Sequence, residues 1–340
     1  MSSDILFCGF NQNTSCLAVG TDHGFTIFNT EPFSLNIKRI MEAGIGLVSM
    51  VYRTNVVGLV GGGNPPRFAP SKAILWDDHR KRVLGEITLS SPVKNMLLNA
   101  SNICIALEDR VLVYKLDNLM LMHEAQTVPN EGGVLALSGS RNSNIMASLT
   151  CSVGEILIYN LLTQTSFRIE AHKSPIKCLA LSDDGKWLAT ASVKGTLIRV
   201  FDLSSHDPAN PSVEVSKRTF RRGTDQASIT SIAFSPAPDN RYLACTSDHG
   251  TIHIFSLLEG RNPRPKLHFL RGMSEYFDCE RSLITFKLED TMPKVGFLAD
   301  DQRLVCVTSQ GSFYGFDIDV NNNTLNPYVY ENFVASLTDD

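Results

Sequence analysis

The chain has 340 residues, 43% of them apolar and 19% charged, a globular composition far from that of a disordered segment. Lys and Arg number 31 against 35 Asp and Glu, and the net charge of −4 argues against a globally basic nucleic-acid binder while leaving a local basic patch open. No apolar run approaches the roughly eighteen residues of a spanning helix, Met1 to Asn11 show no signal-type pattern, and eight cysteines are too sparse for a disulfide scaffold, so they read as reduced cytosolic thiols.

Length alone fits about two domains, but internal repetition changes that reading. Short strand-like segments with an aromatic end recur along the chain: FTIFN at 25–29, AILWD at 73–77, VLVYK at 111–115, ILIYN at 156–160, LIRVFD at 197–202, IHIFS at 252–256 and FYGFD at 313–317. Their aromatic residues, Phe28, Trp76, Tyr114, Tyr159, Phe201, Phe255 and Phe316, stand 38 to 61 residues apart. Most follow a tight-turn signal, as in Asp22-His23-Gly24, Val153-Gly154, Lys194-Gly195, His249-Gly250 and Gln310-Gly311. Glycine there accepts the positive φ of a reversal between antiparallel strands. Runs of small apolar residues such as CLAVG, WLATAS, YLACTS and LVCVTS precede the turns. IKCLALS at 176–182 and ITSIAFS at 229–235 lie further upstream, and SFRIE and LITFKL lie downstream.

Each unit therefore predicts four short antiparallel strands. Seven units of about 48 residues predict an all-β fold, a single seven-bladed β-propeller of WD40 type. Blades are expected at 4–41, 45–88, 93–126, 134–170, 176–220, 227–288 and 294–331. Two packed sandwiches would not explain seven similar units. The last strand, near Pro327 to Asn332, is expected to complete its own sheet, so that the ring closes by blade-to-blade packing rather than by an exchanged terminal strand.

The repeats are interrupted at 61–72, 204–214, 258–281 and 319–326. The first matches no phosphate-loop or dinucleotide pattern, and the last is polar and reads as solvated loop. The third mixes Arg261, Arg264, Lys266 and Arg271 with Leu267, Phe269, Leu270, Met273, Tyr276 and Phe277. Such a mixture suits a loop folded back on the propeller edge. It also suits an anionic bilayer, with apolar tips entering the interface and cations meeting lipid phosphates.

Upstream, Lys217-Arg218-Thr219-Phe220-Arg221-Arg222-Gly223 reads as the outer strand of blade five, with Gly223 releasing the chain into the next blade. Successive side chains of a strand face opposite ways, so Arg221 and Arg222 should serve two sites on either side of it. A guanidinium presents its donors in a fixed fork suited to phosphate. Two clusters stand in equivalent places nearby: His172, Ser192, Lys194, Gly195, Thr196 and Arg199 in blade five, and Ser247, His249, Thr251 and His253 in blade six. Hydroxyls and turn N–H groups can cradle phosphate oxygens. The plain role of such Ser and Thr residues is to stitch strands together; their duplication around a split arginine pair favours two anion sites. His172, His249 and His253 show no zinc spacing, and no carboxylate pair or Ser/His/Asp set converges. No enzymatic activity, metal or cofactor is expected, and Cys178, Cys245 and Cys306 read as structural.

Phe220-Arg221-Arg222-Gly223, followed by SITSIAFS and SDHGTIHIFSL, resembles the signature of the PROPPINs, β-propellers that bind polyphosphoinositides. LATASVKGTLIRVFDL at 188–203 is similar to that family's blade five, and GGGNPPRFAPSKAILWDD at 61–78 to its blade two. The compact length resembles the yeast homologous-with-swollen-vacuole-phenotype branch. The resemblance implies a monomeric membrane effector that recognises phosphatidylinositol 3-phosphate and phosphatidylinositol 3,5-bisphosphate on endosomes, vacuoles and preautophagosomal membranes. It implies a first headgroup site of His172, Ser192, Lys194, Gly195, Thr196, Arg199 and Arg221. It implies a second of Arg222, Gly223, Ser247, Thr251 and His253. A membrane-inserting loop falls at 258–281, with Leu267, Phe269, Leu270, Met273, Tyr276 and Phe277 entering the bilayer. An autophagy lipid-transfer protein would contact blade two near Pro65, Pro66 and Arg67. The competing expectation is a WD40 protein-interaction scaffold without specific lipid binding.

Overall fold

The second and third strands of each repeat are apolar on both faces, and such strands persist only where both faces are covered. In the computed structural model, which describes residues 4–140, 143–210, 214–236, 238–263 and 279–337, seven sheets arranged as a ring cover one another. The sheets span 5–40, 45–88, 95–126, 135–170, 176–221, 229–287 and 294–332, each with four antiparallel strands in chain order. First strands of successive blades pack side by side around the centre, which leaves the fourth strands at the rim. Second strands such as Cys16–Thr21 and Tyr242–Ser247 are buried at every position. The turn glycines Gly24, Gly154, Gly195, Gly250 and Gly311 all have positive φ.

Each gap between neighbouring blades holds a buried apolar cluster. Cluster membership fixes which way a side chain faces. In blade five, Leu188 and Phe201 pack toward blade four, whereas Ala189, Ala191, Ile198, Val200 and Phe220 pack toward blade six. In blade six, Leu243, Cys245 and Phe255 pack toward blade five, and Ala244, Ile252 and Ile254 toward blade seven.

Among the described residues no strand is exchanged at the seam: Ile5–Phe10 opens the sheet of blade one, and Thr324–Asn332 completes that of blade seven. Packing closes the ring instead. Phe33 stacks on Phe28 at 5.1 Å and on Phe313 at 4.1 Å, and Phe333 packs against Phe28 at 5.2 Å. The short helix Val334–Leu337 buries Leu337 in the same cluster. Lys294 Nζ donates to the Cys8 carbonyl at 2.8 Å, joining the inner strands of blades seven and one.

Near the centre, Gln12 Nε2 donates to the carbonyls of Met50 and Leu98, each at 2.6 Å, while Gln12 Oε1 accepts from Tyr52 N at 2.7 Å. The Tyr52 hydroxyl continues to the Gly139 carbonyl, so one chain of contacts links blades one to four. Blade five departs from the regular plan. A two-residue strand from the blade-six insertion, Glu280–Arg281, adds to its outer edge, parallel to Lys217–Arg221.

Candidate functional site

Phe220 sets the geometry of the rim strand. It is fully buried between blades five and six, with its ring 5.2 Å from Phe255. Arg218, on the same face, donates from Nη2 to Glu280 Oε2 at 2.9 Å and also reaches the Leu257 carbonyl. Strand alternation therefore turns Arg221 toward blade four, and Arg222, just beyond the strand, toward blade six.

On the blade-four side, Arg221 pairs in register with Leu197, two residues from Arg199 on the neighbouring strand. Arg199 Nη1 donates to the Ala171 carbonyl. His172 Nε2 lies 2.9 Å from Thr190 Oγ1, and that hydroxyl donates to the Arg199 carbonyl at 3.3 Å. Ser192 is buried at the end of the same strand as Thr190. The fold thus brings His172, Ser192, Arg199 and Arg221 to one gap. Lys194, Gly195 and Thr196 form the turn at its mouth, Lys194 being exposed. Gly195 has φ of +59°, and a Cβ there would lie 1.8 Å from the Ala227 carbonyl oxygen, so only glycine fits. Thr190, which holds His172, was not singled out by the sequence; its one signal is a hydroxyl inside an otherwise apolar strand.

On the blade-six side, the face that carries Cys245 and Phe255 also carries Ser247, Thr251 and His253. Arg222 Nε donates to the Gly195 carbonyl at 2.6 Å, and Nη2 to that of Asp225. Burial, with the Arg222 charge as a second cause, holds the His253 pKa down at about 4. Its ring is therefore neutral at physiological pH. His253 Nδ1 lies 3.3 Å from Ser282 Oγ and 3.5 Å from Thr285 Oγ1, and accepting from either hydroxyl puts the ring proton on Nε2. That Nε2 and Ser247 Oγ are both buried without a hydrogen-bond partner among the described residues. Each such atom costs about 1–3 kcal/mol when nothing satisfies it, so the pair marks a place suited to an external ligand.

Gly223 differs from Gly195. Its φ lies outside the left-handed region, and a Cβ there would meet nothing within 4 Å, so the backbone does not demand glycine. The repeat continues into the gap between blades six and seven, with a reversed charge. Thr308, Ser312 and Tyr314 take the places of Ser247, Thr251 and His253. There the Tyr314 hydroxyl donates to Asp290 Oδ2 at 3.0 Å, and Thr308 Oγ1 to the same oxygen at 3.4 Å. Burial and the Asp290 carboxylate push the Tyr314 pKa up to about 12. A gap already holding a carboxylate repels an anion.

Leu267, Phe269, Leu270, Met273, Tyr276 and Phe277 lie outside the described residues. Pro65, Pro66 and Arg67 form an exposed loop of blade two, held where Gly44 N donates to the Pro65 carbonyl and Arg67 N to that of Gly44, both at 2.9 Å. Burial pushes the thiols of Cys178 and Cys245 up to about 11 and about 12, and that of Cys306 higher still, which leaves them inert. Among the described residues no group of His, Cys, Asp and Glu is arranged to hold a metal ion. No described helix is long and apolar enough to cross a membrane.

Fold and rim together define a WD40-type β-propeller with two basic, hydroxyl-lined gaps beside the outer strand of blade five. Comparison with known proteins takes this further: a PROPPIN family profile matches residues 5–293, and the chain belongs to that family. SVP1-like protein 2 of Pichia angusta is 34% identical, with 94% of this chain and 92% of that one aligned, so the likeness extends over the whole ring. Autophagy-related protein 18 of Dictyostelium discoideum is 38% identical over 74% of this chain and 65% of its own length. Among solved structures, Kluyveromyces lactis Hsv2 superposes with a TM-score of 0.78 at 26% identity, covering 97% of this chain and 99% of that one. PROPPINs are non-catalytic, lipid-binding scaffolds. The chain accordingly has a phosphoinositide-binding role in autophagy and vacuolar or endosomal trafficking, and phosphoinositide-bearing membranes are its partners.

Proposed function

We propose that the rim binds two phosphoinositide headgroups, one on each side of the outer strand of blade five. His172, Ser192, Lys194, Gly195, Thr196, Arg199 and Arg221 would hold the first. Arg222, Ser247, Thr251 and His253 would hold the second, with Gly223 as a spacer between the two. Phosphatidylinositol 3-phosphate and phosphatidylinositol 3,5-bisphosphate are the ligands, and peripheral attachment to vacuolar, endosomal and preautophagosomal membranes follows. The observation that carries this reading is the blade-five/six gap, where Ser247 Oγ and His253 Nε2 are buried without hydrogen-bond partners among the described residues, on the face that Arg222 electrostatically perturbs. Arg222 Nη1 makes no hydrogen bond among the described residues, which leaves donors for a phosphate.

Two tethered contacts exceed either alone because binding at one raises the effective concentration at the other. Leu267, Phe269, Leu270, Met273, Tyr276 and Phe277 would add shallow insertion beside them. The exposed Pro65-Pro66-Arg67 loop is suited to a protein partner such as a lipid-transfer protein, and the protein as a whole would act as a scaffold at autophagic membranes, including those of nuclear microautophagy. Isothermal titration with a water-soluble inositol 1,3-bisphosphate headgroup tests the assignment. Two equivalents should bind the native chain, and one equivalent each of the Arg221→Thr and Arg222→Thr variants. A single equivalent on the native chain, or two on either variant, contradicts it.

A further inference from the structure

The segment that leaves the arginine strand runs beside both rim gaps. Arg222 N donates to the Thr196 carbonyl at 2.9 Å, Gly223 N to the same oxygen at 3.5 Å, and Ala227 N to the Lys194 carbonyl at 3.4 Å. Gln226 Nε2 reaches the Val193 carbonyl at 3.4 Å. Residues 223–227 therefore lie across the Lys194–Thr196 turn at the mouth of the first gap, while Arg222, at the start of the segment, faces blade six. Ala227 is buried and anchors the far end. Between the anchors Thr224 is exposed and belongs to no strand. Its one hydrogen bond among the described residues runs from Oγ1 to the neighbouring Asp225 Oδ1 at 3.2 Å.

Arg221-Arg222-Gly223-Thr224 places two arginines three and two residues before an exposed hydroxyl. Arginine-directed protein kinases read that spacing through acidic subsites, because a guanidinium fork pairs strongly with carboxylates. We propose that Thr224 is a phosphorylation site whose phosphate closes the rim to anionic headgroups. The kinase transfers the γ-phosphoryl group of ATP: the bond from Thr224 Oγ1 to phosphorus forms, the bond from that phosphorus to the β,γ-bridging oxygen breaks, ADP leaves, and the hydroxyl proton passes to a base of the kinase. The new group carries a charge of about −1.5 to −2 at neutral pH and three acceptor oxygens. Arg222 already reaches this segment, its Nη2 donating to the Asp225 carbonyl. A phosphate on the adjacent residue offers Arg222 the same ligand chemistry as a headgroup, and at the mouth of the first gap it repels a headgroup of like charge. This rests on the reading of Arg221 and Arg222 as headgroup residues.

The full chain and its Thr224→Val variant would be incubated with ATP and the catalytic subunit of cyclic-AMP-dependent protein kinase, an arginine-directed enzyme, and the modified residue located by mass spectrometry. Both proteins would then be bound to phosphatidylcholine vesicles containing phosphatidylinositol 3-phosphate, with the Arg221→Thr/Arg222→Thr double variant as reference. Phosphate should enter at Thr224 of the native chain and weaken vesicle binding by about tenfold, the low end for one charge-assisted hydrogen bond, with the melting temperature unchanged. Kinase-treated Thr224→Val should bind as the untreated native chain does, and untreated Thr224→Glu, which supplies part of the charge, should fall between. Undiminished binding by chain phosphorylated at Thr224, with the double variant inactive, overturns this inference alone. So does a Thr224 that the kinase leaves unmodified, or an equal loss of binding by kinase-treated Thr224→Val. Full binding by the double variant overturns the headgroup reading beneath it.

Discussion

His253 is the residue whose protonation the fold controls most strongly. Its pKa falls from an ordinary 6.5 to about 4 through burial and the Arg222 charge. Between those values the unfolded chain holds a proton that the folded chain refuses. Stability is therefore complete above pH 6.5 and falls by up to about 1.4 kcal/mol per unit as the pH drops toward 4. Urea midpoints should decline over that window, and His253→Gln should flatten the decline. Half-buried His123 is shifted the same way, so the difference between the two proteins isolates His253. Arg222→Thr removes a like charge and should move the His253 ring titration upward by NMR. A His253 ring that titrates near 6.5 in the free protein contradicts the picture.

Two glycines show how far single residues could be read in advance. In the sequence Gly195 and Gly223 both look like turn glycines. Only Gly195 combines positive φ with a carbonyl oxygen where a Cβ would go. Gly195→Ala should lower unfolding free energy by at least about 1 kcal/mol, and Gly223→Ala should change it by less than about 0.5 kcal/mol. The distinction depends on where Ala227 arrives from the next blade, which no local pattern encodes.

At the scale of the element, the outer strand of blade five is pinned through one ring. Phe220 is wholly buried against Phe255, and truncation to Ala should cost about 3–5 kcal/mol in urea unfolding. It should also weaken headgroup binding, since the alternation that separates Arg221 from Arg222 depends on Phe220 staying seated. That separation was legible because it needs only two adjacent residues and a strand. The added strand Glu280–Arg281 was not. Its partner lies some sixty residues away, and a two-residue strand has no periodicity. The blade-six/seven gap was half legible: the hydroxyl repeat runs on through Thr308 and Ser312, but the acid that reverses its charge, Asp290, enters from a connecting segment.

At the scale of the whole molecule, the repeated strand and turn signals foretold seven blades because each blade reuses one local pattern. The closure was readable only in outline. The stack of Phe28, Phe33, Phe313 and Phe333 joins residues some three hundred positions apart, and the Gln12 and Tyr52 contacts at the centre have no sequence signature. Because the aromatic stack fills the seam, Phe333→Ala should cost about 3–5 kcal/mol on chemical denaturation. A seam variant as stable as the native chain would show that closure lies elsewhere.

The net charge of −4 is compatible with membrane binding because cations gather along one edge of the ring, around Arg221, Arg222 and Arg281. The most direct test is flotation with phosphatidylcholine vesicles carrying phosphatidylinositol 3-phosphate, phosphatidylinositol 3,5-bisphosphate or an equal charge of phosphatidylserine. The native chain should float with the two phosphoinositides and not with phosphatidylserine. Arg221→Thr and Arg222→Thr should each retain part of that binding, and the double variant none, with its melting temperature unchanged. A double variant that floats like the native chain, or a native chain that floats equally with phosphatidylserine, would contradict the two-site account.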